Sequence, residues 1–204
     1  MCLGPLAAGR TYTTDQFTPT LSYAVPAAGW QNFEDTPGNF LLVPPGNDLP
    51  GVNAGTADFV GVYTAVSASR FSDLPSCSTS LVPRVSGTAK ALAEWIGRRP
   101  GLRASKPTPV TVGGLTGVMT DVRARPGARL PTCVDNGTRV TVALLISGVS
   151  PSGLDHGIIA GMTMRLYLLD TGSQVLAIEL DDIDEAPGNL ASLVAAVKAL
   201  RFHT

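Results

Sequence analysis

Across residues 17–25 apolar and polar side chains alternate: Phe17, Pro19, Leu21, Tyr23 and Val25 fall on one face, Thr18, Thr20, Ser22 and Ala24 on the other. A period of two predicts a half-buried strand, and Pro19, which has no N–H to donate, places it at a sheet edge. Residues 30–33, 40–43 and 58–66 read as further short strands. The period then changes. In "GTAKALAEWIGRRPG" Ala89, Leu92, Trp95 and Ile96 form a helical stripe, Thr88 is placed to cap it, and Pro100-Gly101 stops it. "PVTVGGLTGVMTDVRA" predicts two strands around Gly113-Gly114, a dipeptide that favours tight hairpins. "RVTVALLIS" reads as one strand with Val140, Val142, Leu144 and Ile146 inward. A long hairpin follows in "MTMRLYLLDTGSQVLAIEL". Last, Leu190, Leu193, Val194, Val197 and Leu200 recur at helical spacing, with Asn189 as the expected N-cap.

Many strands, one central helix and one terminal helix predict an α+β fold: an antiparallel sheet with helices packed on its faces. No internal repeat or linker interrupts residues 12–202. The expected organisation is a flexible tail over 1–11 and one globular domain over 12–204.

"AGRTYTTDQFTPTLSYAVPAAGWQNFEDTPGNFLLVPP" resembles the opening of a group of uncharacterised secreted or lipid-anchored bacterial proteins. Their start reads roughly G-x-Y-x-T-x-x-F-x-P-x-L-x-[FY]-x-V-P-x-G-W, followed by D-x-P-G. This likeness covers about 35 residues. The element order is also similar to that of the PsbP-like fold. Its better-known members are accessory or binding proteins in photosystem assembly, Ran handling and the bacterial envelope. The resemblance implies a binding or accessory role rather than an enzyme, by analogy of fold alone. It carries over no site residue.

Bulk properties narrow the classes further. A hydrophobic fraction of 44% and a charged fraction of 15% exclude a disordered chain. The net charge of −1 supplies no pull toward nucleic acid or anionic membrane. No apolar run approaches the roughly 18–20 residues of a transmembrane helix.

The cysteines indicate a compartment. Cys77 in "LPSCSTS" and Cys133 in "LPTCVDNG" both sit in polar, turn-like loops after Leu-Pro. Two such cysteines predict a disulfide, worth roughly 4 kcal/mol in the chain-entropy model, and with it an extracytoplasmic protein, secreted or held at the cell envelope. No CxxC or nearby histidine completes a zinc set. Cys2 reads either as the lipid-bearing first residue of a lipoprotein whose signal sequence has been removed or as one residue of a loose tail.

Candidate catalytic chemistry is sparse. Asp170-Thr171-Gly172-Ser173 spells half of an aspartic protease site. Such a site needs two aspartates sharing a proton and a glycine-containing segment many tens of residues later; only 34 residues follow Asp170. The stretch is expected to be a hairpin turn, Asp170 bonding local amides and Gly172 supplying positive φ. His156, beside Asp155, is expected to be a solvated loop histidine, and His203 the same. A serine hydrolase would need a nucleophile elbow, and "GVSPSG" around Ser150 lacks one. The acids of "ELDDIDEAPGN" (Glu179, Asp181, Asp182, Asp184, Glu185) lack calcium-loop spacing and are expected to form a solvated loop before the last helix. Arg98, Arg99 and Arg103 at a helix end, and Arg123, Arg125 and Arg129 near a loop, have no interleaved aromatics to mark a nucleic-acid surface. The apolar, proline-rich loop over 38–55 is either ordinary packing or one wall of a groove.

The sequence thus predicts an exported binding or accessory protein with no cofactor, metal or catalytic residue. Its partner is another protein or a small apolar ligand held in a cleft between sheet and helix. Two rivals stand beside this reading. One is a hydrolase using His156 with a serine or Asp155, which requires a buried histidine beside a nucleophile. The other is a structural domain of a larger assembly.

Overall fold

The computed structural model describes residues 3–83, 85, 87–135, 137–148, 155–183 and 189–203. Strands β1 (Gly4–Pro5), β2 (Thr11–Thr13) and β3 (Thr20–Ala24) come first, then β4 (Gln31–Asp35), β5 (Asn39–Val43), helix α1 (Leu49–Ala54) and β6 (Phe59–Tyr63). Next are β7 (Ser67–Asp73), β8 (Ser78–Leu81), α2 (Ala89–Gly97) and β9 (Leu102–Ala104). They lead into β10 (Thr108–Val112), β11 (Leu115–Ala124), β12 (Thr132–Asp135), β13 (Thr138–Thr141), β14 (Ala143–Ser147) and β15 (Asp155–Ile158). The chain closes with β16 (Met162–Asp170), β17 (Val175–Ile183), α3 (Asn189–Lys198) and β18 (Arg201–His203).

A nine-stranded antiparallel sheet is the backbone of the fold, in the order β1-β4-β5-β6-β17-β16-β11-β10, with β9 beside β11. At its centre β17 is buried on both faces. Leu176, Ile178 and Leu180 point into one core, with Trp30, Tyr23, Phe40 and the inner side of α3. Val175 and Ala177 point into a second core, with α2, Leu166, Leu168 and Leu145. A strand covered on both faces has no solvent side to alternate with, so "VLAIEL" reads as a nearly continuous apolar run. The four-stranded sheet β15-β14-β7-β8 contributes Ala68, Leu145 and Ile146 to the second core. The three-stranded sheet β18-β3-β2 contributes Leu21, Tyr23 and Phe202 to the first.

The fold is therefore mostly antiparallel sheet with three helices, more strand-rich and more layered than the expected sheet with one central and one terminal helix. Several local expectations change with it. β3 is the middle strand of its small sheet rather than an edge, because Pro19 lies just outside the ladder. The 139–147 strand divides at Val142: β13 pairs with β12, while all five residues of β14 are buried. Trp95 is only half-buried on α2, with the Arg99 guanidinium 5.0 Å from its ring and donating to the Leu144 carbonyl. The 38–55 loop resolves into packed structure. β5 is buried throughout, and α1 is capped by the Asp48 carboxylate accepting from the Gly51 N–H at 2.8 Å. No helix among the described residues is long and apolar enough to cross a membrane.

Candidate functional site

Two places concentrate chemistry, and both are set by the register of the central sheet. The first is a buried polar cluster between the nine-stranded sheet and β15. Register pairs Glu179 with Gly61 and Ala177 with Tyr63, placing Tyr63 and Glu179 on one face. Gly61 is what lets them meet: a Cβ there would overlap the Tyr63 hydroxyl and ring, which lie across it toward Glu179. From the opposing sheet His156 sets its Nδ1 2.8 Å from Glu179 Oε2 and lays its ring on Tyr63, with centroids 3.8 Å apart. Asp181, two residues further along the same face, is hydrogen-bonded to Glu179.

Burial dominates the electrostatics here. It pushes the Asp181 carboxyl well above the usual carboxylate range, reinforced by the charge and hydrogen bond of Glu179 and then by the charge of Asp58. Burial likewise pushes the Tyr63 phenol well up, helped by the charges of Glu179, Asp181 and Glu34. Beside the cluster, Asp155 accepts hydrogen bonds from Ser69 Oγ and Ser147 Oγ, which fasten the start of β15.

This corrects two expectations. His156 is a strand residue with about 10% side-chain exposure, not a solvated loop residue, and it is paired with a carboxylate rather than with a serine. Glu179, Asp181 and Asp182 are buried in β17 rather than solvated. Asp184, Glu185 and Ser150 lie outside the described residues.

The second place is a groove of about 460 Å³ between the β10–β11 hairpin and α3. Val112, Tyr167 and Val197 form its buried floor, and half-buried Val110 and Val194 its walls. Lys198 and Arg201, both exposed, stand at its solvent side. The local sequence explains the shape. Gly113 and Gly114, with φ of 59° and 95°, make the two-residue turn that lets β10 fold back on β11. At Gly113 a Cβ would come within 2.7 Å of the Phe202 ring, so its absence lets the hairpin tip seat against β18, where the Phe202 N–H donates to the Gly113 carbonyl at 3.0 Å. Arg201 donates to the carbonyls of Lys198 and Leu200, closing the end of α3. Two residues before Tyr167 on the same face of β16, Arg165 forms a two-pronged pair with Asp121 at 2.6 and 2.9 Å. Burial raises the Tyr167 phenol against the opposing pull of Arg165.

The remaining candidates are structural. The hairpin turn at Asp170 is as expected, with Gly172 at φ 91° and the Thr171 N–H bonded to the Gln174 carbonyl. The Asp170 carboxylate, however, accepts from the Ala89 N–H at 2.8 Å, so it holds the first turn of α2 rather than local amides. Thr88 Oγ1 accepts from the Ala91 N–H as expected. Asn189 is the first residue of α3, and its side-chain amide donates to Asp58, just ahead of β6. His203 Nε2 lies 2.6 Å from Ser22 Oγ on the exposed side of the β18–β3 pair. Cys77 and Cys133 form a disulfide linking the β7–β8 turn to β12. Cys2 lies outside the described residues. No group of three or more His, Cys, Asp or Glu among the described residues is arranged to hold a metal ion.

Neither a protein-family model nor a characterised protein sequence matches the chain. Solved structures do. LpqN, involved in cell envelope biogenesis of Mycobacterium tuberculosis, aligns over 98% of this chain and 90% of its own at 14% identity and a TM-score of 0.43. Cyanobacterial PsbP (CyanoP) from Synechocystis aligns over 95% of this chain and 92% of its own at 10% identity and a TM-score of 0.44. A crystal structure from Bacteroides thetaiotaomicron aligns over 90% of this chain at 12% identity and a TM-score of 0.38, and this chain spans 45% of its length.

The groove was not legible residue by residue. Its lining combines alternate positions of β10 with positions 194 and 197 of α3, distant segments whose meeting depends on sheet order.

Proposed function

We propose that the protein is an exported, envelope-associated binding or accessory protein that holds a small apolar ligand in the groove between the β10–β11 hairpin and α3. The observation that carries the reading is the groove itself. It is mostly apolar at its floor, has a few polar groups at one end, and its size falls within the roughly 300–1,000 Å³ typical of small-molecule sites. Placement outside the cytoplasm rests on the Cys77–Cys133 disulfide, a bond that persists in oxidising compartments. No catalytic role is assigned to His156, since Glu179 and the Tyr63 ring occupy its surroundings.

Native mass spectrometry of the protein recovered from its own host tests the reading. Wild type is expected to carry a small-molecule adduct that Val194→Trp, whose indole fills the groove, lacks. Identical, adduct-free masses for both would overturn it.

A further inference from the structure

Resting on that groove as the binding site, the geometry points to its occupant: a single-chain amphiphile with an anionic head, an alkyl carboxylate, whose tail lies on Val112, Tyr167 and Val197 and whose head meets Lys198 and Arg201. The floor alone selects only for apolar surface. Selection for charge comes from the solvent side, where two cations lie within one turn of α3 and its exit, with no carboxylate among the groove's lining residues. Arg201 has one guanidinium nitrogen engaged with the carbonyls of Lys198 and Leu200. That contact offsets the negative end of the helix dipole, which would otherwise oppose an anion at this position. Lys198 makes no ion pair with a described residue, and its ammonium stands exposed beside the apolar lining. A neutral alcohol would leave these cations unused, and an alkylammonium would face like charge.

Both cations are solvent-exposed, so each contact with an anionic head is worth about two- to fivefold in affinity, and the pair together about tenfold. The tail supplies the rest of the affinity, and the head sets the preference.

The test is calorimetry with laurate, dodecanol and dodecyltrimethylammonium, each below its micelle concentration, on the oxidised full chain. Laurate is expected to bind about tenfold more tightly than dodecanol, and the ammonium compound more weakly than either. Lys198→Glu should erase the preference for laurate over dodecanol, and Lys198→Arg should restore it. Equal laurate and dodecanol affinities, indifferent to Lys198→Glu, would overturn the head-group assignment and leave the groove as an apolar site. Failure of all three to bind a chain with native circular dichroism would overturn groove and head group together. Binding to phosphatidylglycerol vesicles without binding of monomeric laurate would overturn it in favour of a membrane surface.

Discussion

At Asp181 burial acts on a single carboxyl, and the consequence for stability has a definite sign. Its folded pKa is raised, first by burial and then by Glu179, above the unfolded value near 3.9. A raised carboxyl favours the folded state fully below its unfolded pKa. That contribution is lost as pH climbs from there through the folded pKa, because the unfolded chain gives up the proton more readily. The amide of Asp181→Asn retains a donor for Glu179 and never ionises. Asp181→Asn should therefore melt higher than wild type at pH 7, by about 2–4 °C for each kcal/mol recovered, with the gap closing as the pH is lowered toward 4. Thermal melts across pH 4–8 check this, and a constant or widening gap on acidification would refute the assignment. The same cluster shows why a residue-level reading falls short. Nothing beside Glu179 in "ELDDIDE" announces that Gly61, more than a hundred positions earlier, leaves room for a tyrosine over it.

Among the elements, strands and helices with strong periodicity were legible in the sequence. α2, the hairpin at Gly113-Gly114 and the long β16–β17 hairpin all lie where the pattern predicts them. Those that were not legible owe their form to partners distant in sequence. β18 is three residues with one buried side chain, too short to carry a period, and it exists as a strand because β3 pairs with it. β17 continues through Glu179 and Asp181 with β6 and β16 both alongside, and through Asp182 on β16, so pairing outweighs the low strand preference of acids. Asp170 is a third instance: its turn chemistry was readable, but its grip on α2 was not. Because that carboxylate satisfies an otherwise orphaned helix N–H, Asp170→Ala should cost about 1 kcal/mol, read as a lower urea midpoint with an unchanged slope. A variant as stable as wild type would show that Thr88 caps α2 alone.

For the molecule as a whole, the Cys77–Cys133 bond closes a loop of 56 residues that contains α2 and the β10–β11 hairpin. It therefore restrains, in the unfolded chain, both α2 and two strands of the main sheet against which the native helix packs. Replacing both cysteines by serine should cost about 4 kcal/mol in the chain-entropy model, measured by urea unfolding beside the reduced wild type. Reduced wild type and the double serine variant should coincide. A loss below about 1 kcal/mol in both would mean that the loop is already constrained without its bond.

The last strand bears on how the protein is made. β18 pairs His203 with Thr20, and its Phe202 amide also fastens the hairpin that borders the groove. A ribosome delivers residues in order, so β3 waits unpaired on that side until Arg201–His203 have emerged, His203 lying 181 positions after Ser22. The groove is thus complete only once β18 has paired. A nascent chain stalled before Arg201 would have its main sheet but an unfastened groove, which separates the time of folding from the time at which that surface is complete.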